Sequence, residues 1–444
     1  MSFAGVFPGG IHPKETEGGK AATSGQAVRT MPPPVRVVIP MQQHIGGPSQ
    51  CTVQPGDLVN MGEVVGRAVG AWGVPVHASV SGRVVAVDRC VLLSGVSVPA
   101  VVIDNDFEDR WHEDCRPRED ADSLPKEELL RIVRDAGIVG LGGATFPTAV
   151  KLAPPADKPV DTIILNGAEC EPCLTADHRL MLEDPQAVAD GLALAAKILG
   201  AKVAIVGIED NKPDAVNAMR QAIQDRGKVV ALPVRYPQGG ERQLIYALTK
   251  RVVPVGKLPA DVGAVVINVA TVAAISHAVR QGKPLIDRIV TVTGRVAEPG
   301  NLRVRIGTAL ADVVDACGGL TEGADRVVLG GPMMGAAAPR LDLPLTKAMS
   351  GILALGKEGG ARRESACIHC GRCAQACPMR LLPVKIDAAS RQTMWDEAEG
   401  LQALACIECG CCTYVCPAKR ELTQSCRTAK AGIHAQRAQK REKA

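Results

Sequence analysis

The feature that most limits what this chain can become is one spacing written twice near its end. Cys367, Cys370, Cys373 and Cys377 precede Pro378, and Cys406, Cys409, Cys412 and Cys416 precede Pro417. Three thiolates at so short a step hold corners of an iron–sulfur cubane. The small residues Gly371, Ala376 and Gly410 let backbone N–H groups turn toward the sulfurs, and each proline ends its run before a short helix. A pair of structural zinc ribbons is the competing reading. Zinc takes four ligands, usually as two separated C-x-x-C pairs, and has no use for a third cysteine at the same step.

Each copy, C-x-x-C-x-x-C-x-x-x-C-P, resembles the run of bacterial two-cluster ferredoxins, where the fourth cysteine serves the other cluster. The resemblance implies one [4Fe-4S] centre on Cys367, Cys370, Cys373 and Cys416 and a second on Cys406, Cys409, Cys412 and Cys377. Cys411 and Cys426 fall outside the pattern and read as packed thiols.

At 444 residues the chain exceeds one ordinary core, and its length suggests about three domains. No basic-then-apolar leader opens it. The longest apolar stretch, Ala264 to Ile275, is interrupted by Asn268 and Thr271, short of the ~20 residues that span a bilayer. The 16 cysteines, with no export signal, argue for metal ligation in a reducing cytoplasm over a disulfide framework. A formal charge of +4 gives no mandate for nucleic acid, and 3 Trp, 3 Tyr and 4 Phe offer few platforms for stacking bases. Cations gather from Lys419 onward, in Arg420, Arg427, Lys430, Arg437, Lys440, Arg441 and Lys443. This reads as a solvated, frayed tail, with contact to anionic lipid or an acidic partner as the alternative.

The first ~115 residues are rich in Gly, Pro and Val, with β-like runs at Val35 to Ile39, Arg83 to Val87 and Val98 to Ile103. Pro55-Gly56-Asp57-Leu58-Val59, Gly62 to Gly66 and Ala78 to Val84 resemble the hammerhead of biotinyl and lipoyl domains. No lysine stands between Asp57 and Arg89 to carry a prosthetic arm, so the module reads as a scaffold. Asp106 to Asp122 reads as a linker, and Ser123 is expected to cap a helix through Asp135 that ends at Gly137. Apolar runs at Thr162 to Leu165, Val203 to Gly207, Val229 to Val234 and Ala264 to Asn268 then alternate with helical stretches at Pro185 to Leu199 and Asp214 to Asp225. That alternation predicts a largely parallel sheet with helices on its faces. From Arg288, strands at Ile289 to Thr293, Leu302 to Ile306 and Val327 to Leu329 and a helix at Ala309 to Ala316 fit a small β-grasp-like domain. Gly359 to Arg363 reads as the loop into the cysteine domain.

Three stretches of the α/β segment suggest where electrons enter. Gly140-Leu141-Gly142-Gly143-Ala144-Thr145-Phe146-Pro147-Thr148 has glycines that let backbone amides approach a phosphate or flavin ring. Asn166-Gly167-Ala168-Glu169-Cys170-Glu171-Pro172 and Ile267-Asn268-Val269-Ala270-Thr271 stand at strand carboxyl ends, where open α/β sheets bind ligands. In order, these resemble the G-G-A-G-F-P-T, N-A-D-E-x-E-P and N-N-V-E-T segments of the flavin- and NADH-binding subunit of respiratory complex I. With Phe7-Pro8-Gly9-Gly10-Ile11-His12-Pro13, the β-rich module and the cysteine runs added, residues from about 3 to 430 resemble the RnfC/RsxC family of the Rnf (Rsx) electron-transport complexes.

That resemblance implies a multidomain α/β and α+β chain. Its parts would be an N-terminal β-rich hammerhead-like module over 1–115, a Rossmann-like FMN/NADH-binding domain over 123–285, a β-grasp-like (SLBB) domain over 288–356, a two-cluster ferredoxin-like domain over 360–427 and a basic tail over 428–444. It implies FMN against Gly140, Gly142, Gly143, Asn166, Asn268 and Thr271, with Lys151 near the flavin or nucleotide phosphates. Phe146 would stack on nicotinamide or adenine, Glu169 and Glu171 would hydrogen-bond NAD(H), and Glu241 would add a loop contact. Leu141, Ala168 and Ala270 depart from the arginine, aspartate and glutamate of the complex I relatives. Cys170 and Cys173 form a C-x-x-C pair that reads as packed thiols. The implied activity is electron transfer between nicotinamide, flavin and two clusters. It would take place in a peripheral subunit on the cytoplasmic face of the bacterial inner membrane, with other subunits as partners, ferredoxin or flavodoxin reached indirectly, and coupling to ion transport. A soluble corrinoid reductase and a non-catalytic cluster relay are the rival readings.

Overall fold

The computed structural model describes residues 6–15, 18–357 and 363–442; the expected loop from Gly359 lies outside them except for Arg363. Strands Arg36–Pro40, Gly82–Val91 and Ser97–Asn105 pair antiparallel, with Leu58–Val59 on the outer edge. Gln50–Cys51, Val64–Arg67 and Val76–His77 form a second sheet. Val37, Ile39, Val65, Val76, Val84, Val101 and Ile103 belong to one buried cluster here, the alternate inward positions of strands with one wet face.

The residues ahead of this module pack elsewhere. Ile11 bridges Tyr236, the Lys20 ammonium lies among carbonyls of the next domain, and Arg29–Thr30 adds a parallel edge strand to a third sheet. They form a strap over the other domains instead of belonging to the β module expected from the first residue.

The α/β segment folds as an all-parallel sheet in the order Lys228–Leu232, Val203–Glu209, Thr162–Gly167, Ala264–Asn268. Parallel strands covered on both faces need apolar residues at consecutive positions, and Ile163, Ile164 and Leu165 are all fully buried. Helices Pro185–Leu199 and Val269–Gln281 lie against one face and Glu241–Thr249 against the other. The first two helices approach so closely that a Cβ at Gly191 would stand 1.8 Å from the Val272 carbonyl. Asp184 caps Pro185–Leu199 by accepting the Ala187 N–H, and left-handed Gly200 ends it. Ser123 does not cap its expected helix: the helix spans Lys126–Asp135 with Pro125 at the cap, and the Ser123 hydroxyl donates to the Asp120 carbonyl.

Asp287–Gly294, Gly300–Arg305, Ala324–Leu329 and Gly351–Gly356 build a mixed sheet beside the helix Leu310–Asp315, with Arg29–Thr30 and Ala336–Ala337 at its edges. In the cysteine domain, Pro383–Arg391, Trp395–Gly400 and Leu422–Glu442 pack around Ile386, Ala389, Ala398, Ala429 and Ile433. The basic end is therefore not a frayed tail but a helix, with Lys443 outside the described residues. Its cations pair along the helix: Arg427 and Lys430 with Glu408, Arg437 with Glu399, and Lys440 with Asp396. Among the described residues no helix is long and apolar enough to cross a membrane.

Candidate functional site

The helix Lys126–Asp135 delivers the chain to Gly137, which adopts φ 67° and where a Cβ would meet the Pro75 carbonyl at 2.6 Å. The glycine loop follows, closed at its base by Gly140 N–H to the Phe146 carbonyl (2.9 Å) and Thr148 N–H to the Ile138 carbonyl (3.1 Å). Leu141 anchors it from within: its N–H donates to Thr271 Oγ1 at 2.9 Å, and its carbonyl accepts from buried Arg288 at 3.3 Å. Gly142, Gly143 and Ala144 are left at an exposed tip, and their N–H groups find no acceptor among the described residues. A Cβ on Gly143 would enter open space, whereas one on Gly142 would press on the Asn268 amide at 2.8 Å. Free amides beside open room suit an anionic or planar group, so the loop fits a flavin mononucleotide.

Both asparagines stand at the ends of adjacent parallel strands. Asn166 donates to the Gly239 carbonyl (2.9 Å) and accepts the Ala168 N–H. Asn268 caps the helix Val269–Gln281 through its oxygen and donates to Asp177 at 2.6 Å. Burial first, then the neighbouring Glu169 charge, pushes the Asp177 carboxyl up to about 7. Lys151, on the turn Thr148–Lys151, pairs with Glu241 at 2.7 Å, at the start of the helix Glu241–Thr249.

Three expectations change here. Glu169 is engaged within the chain: its carboxylate accepts the Asp177 and His178 N–H groups (2.8 and 3.1 Å) and so caps the helix Ala176–Glu183. Glu171 accepts from Met333 and Met334 N–H and from the Tyr236 hydroxyl, and burial pushes its carboxyl up to about 7. Phe146 has its ring 5.1 Å from that of Trp72, edge to face, which places the scaffold module against the loop. Neither acid is thus left free for a nucleotide, because the 168–174 turn consumes both as internal acceptors.

Sequence reasoning missed the buried cations. Lys20 donates to the Glu169, Glu171 and Leu174 carbonyls, and Lys212 to the Ala168 carbonyl and Glu209. Lys347 reaches the Gly137 carbonyl at 2.7 Å, and burial lowers its ammonium to about 7. Their partners are backbone oxygens far away in sequence, which leave no local signal. Asp177 alone had one, as an acid in the first turn of a helix.

The cysteines gather in two groups. Cys377 joins Cys406, Cys409 and Cys412 around an apolar cavity also walled by Cys411, Cys426, Ile407 and Leu381. Backbone N–H groups of Leu381 and Glu408 point at the Cys377 and Cys406 sulfurs (3.3 and 3.4 Å). Burial raises most of these thiols, Cys412 up to about 12, so a thiolate set here needs the positive charge of bound iron. The donor set fits a [4Fe-4S] centre. Cys373 and Cys416 share a second apolar cluster with Leu422 and Val384, beside half-buried Cys367 and exposed Cys370. Cys411 and Cys426 are buried packing thiols at the first group, while Cys170 and Cys173 belong to different apolar clusters.

The first group lies against the α/β domain. Ile11, Tyr236, Cys170, Met333, Ala376, Cys409 and Cys411 form one apolar cluster. Gly10 N–H donates to the Ala376 carbonyl, Gln243 contacts Met379 Sδ at 3.3 Å, and a Cβ on Gly9 would meet the Cys377 carbonyl at 2.5 Å. Met333, held by Glu171, abuts Gly410, where a Cβ would sit 2.8 Å from its carbonyl.

Comparison with known proteins matches four segments. They are an RnfC barrel sandwich hybrid domain over residues 5–108, a Nuo51 FMN-binding domain over 133–277, an SLBB domain over 289–337 and a 4Fe-4S dicluster domain over 361–417. The RnfC-type component of the proton-translocating ferredoxin:NAD(+) oxidoreductase complex of Clostridium ljungdahlii is 48% identical over 99% of this chain and 96% of its own. Its counterpart in the Na(+)-translocating ferredoxin:NAD(+) oxidoreductase complex of Acetobacterium woodii is 47% identical, covering 98% of each. The counterpart in the ion-translocating oxidoreductase complex of Rhodobacter capsulatus is 44% identical over 86% of this chain and 74% of its own. Among solved structures, an NAD+-reducing [NiFe]-hydrogenase in the H2-reduced state shares the fold at TM-score 0.50 and 22% identity, over 72% of this chain and 66% of that one.

Proposed function

The chain belongs to the RnfC family of ion-translocating ferredoxin:NAD(+) oxidoreductase complexes, and from that premise we propose that it is the NAD(H)-reacting, FMN-containing subunit of such a complex, passing electrons between nicotinamide, flavin and two [4Fe-4S] clusters. The observation that carries this is the junction at which Tyr236, Met333 and Ile11 press the Cys377, Cys406, Cys409 and Cys412 group against the strand ends that hold Asn166 and Cys170. FMN, when bound, supplies the step between two-electron nicotinamide chemistry and one-electron cluster chemistry.

The chain's own residues set the geometry for that step. Gly140, Gly142 and Gly143 give the flavin its backbone donors, Asn166 and Asn268 its amide contacts, and Thr271 holds the loop through Leu141. Lys151 and Glu241 border the phosphate end, Phe146 beside Trp72 borders the nucleotide, and Glu169 and Glu171 act through the backbone they hold. The ligand sets are Cys406, Cys409, Cys412 and Cys377 for the inner centre and Cys367, Cys370, Cys373 and Cys416 for the outer one. In fold terms the parts are a hammerhead-like module up to about 115, a Rossmann-like domain over 123–285, a β-grasp-like domain over 288–356 and a ferredoxin-like domain from 360. The protein works as a peripheral subunit at the cytoplasmic face of the membrane, with the other subunits of the complex as its partners.

Anaerobic reconstitution with iron, sulfide and FMN tests this. The protein should retain flavin and eight irons' worth of cluster signal, about four per centre, and the flavin absorbance should bleach with NADH. Two clusters by EPR with no bindable flavin and no bleaching would reduce the chain to a relay.

A further inference from the structure

The inner group is walled in by the α/β domain and the strap, so electrons that reach it leave through the outer one. The outer group is open: Cys370 is exposed, Ile368 is 66% and Leu382 49% exposed, and both are large apolar side chains with no cover. The chain places cations around them. Arg372 follows Cys370 by two positions and is exposed, as is Lys385, next to the Val384 that packs on Cys373 and Cys416. Exposed Lys419 donates its N–H to the Cys416 carbonyl.

Acids nearby do not cancel this charge. Glu364 is held by Arg391 and Arg420, and buried Asp387 by the same two arginines and Ser425. Arg372, Lys385 and Lys419 have no ion pair among the described residues, and exposed Glu421 is the remaining acid on this edge. The acids of the opposite side, Asp396, Glu399 and Glu408, are paired with the C-terminal helix.

From this arrangement we propose that the face around Cys370, bounded by Ile368, Leu382, Arg372, Lys385 and Lys419, is the docking surface for an acidic one-electron carrier protein. An apolar centre with a single-sign rim suits a small, transient, electrostatically steered interface. An anionic bilayer would match the charge equally but would insulate the one centre that has to exchange electrons. The transfer moves one electron from the reduced carrier to the outer centre, or back, and makes or breaks no bond. The inference rests on the reading of the cysteine groups as cluster ligands.

The test uses the full-length reconstituted protein and a strongly acidic, reduced 2[4Fe-4S] ferredoxin in stopped flow. The second-order rate should fall steeply as salt rises. The Lys385→Glu, Lys419→Glu double variant should lower it at least about tenfold at low salt and flatten the salt dependence. Lys385→Gln with Lys419→Gln should give a smaller change of the same sign. NADH-driven bleaching and the EPR signals of both variants should match the parent, which separates a lost docking face from lost clusters. A parent protein without cluster signals would overturn the ligand reading itself. A rate indifferent to salt and to both variants would overturn the docking face. Unchanged carrier exchange with lost sedimentation on phosphatidylglycerol vesicles would assign the patch to lipid instead.

Discussion

Gly142 and Gly143 are neighbours under opposite constraints. The first lies on the Asn268 amide, the second faces open space. Gly143→Ala should leave thermal stability within about 0.5 kcal/mol yet weaken FMN binding about tenfold or more, measured by fluorescence titration, because the methyl group fills the room the flavin takes. Gly142→Ala should weaken binding and lower stability together, since Asn268 must shift and lose Asp177. Glu171 makes a pH prediction. Its carboxyl is raised from an ordinary 4.5 to about 7, so the folded chain binds more protons than the unfolded one between those values. Stability from this group is present at low pH and is lost as pH rises toward about 7. The melting temperature of the parent relative to Glu171→Gln should therefore fall across that window and level off above it. The glycines and asparagines of the site were legible because their spacing is local. The fate of Glu169 and Glu171 was not, because what occupies them is a helix N-terminus and the Met333 turn of another domain.

Among the elements, the parallel strands were the most legible: Ala264–Asn268 and the helix Pro185–Leu199 fall where apolar runs and caps place them. The C-terminal helix was the least legible. Its buried face, Cys426, Ala429 and Ile433, is thin and small amid a run of cations, and its register is set by contacts with Trp395–Gly400 and Pro383–Arg391. A Cβ on Gly432 would lie 2.6 Å from the Trp395 ring, so the two helices meet backbone to ring. Ile433→Ala should cost about 3 kcal/mol and show as earlier thermal loss of cluster absorbance. Lys440→Ala, which removes an exposed ion pair with Asp396, should change stability by under about 1 kcal/mol.

At the scale of the whole molecule, the two cysteine runs exchange their fourth members. Cys377→Ala should erase the inner centre and Cys416→Ala the outer, each leaving about half the iron, with different EPR signals lost. NADH should still reduce the inner centre of the Cys416→Ala protein, whereas Cys377→Ala should cut the outer centre off from NADH. The repeat made two clusters legible, but not which lies inward. That order comes from Tyr236, Met333 and the strap, three pieces separate in sequence that meet at one seam.

The strap also carries a temporal consequence. Gly9 and Gly10 rest on Ala376 and Cys377, contacts between nearly the first described residues and nearly the last domain to be synthesised. During translation the strap has no seat until the cysteine domain has emerged, and such long-range closure is slow. The inner cysteines therefore stay open to cluster-delivery machinery through most of synthesis, and the N-terminus seals the seam last, over a centre already assembled.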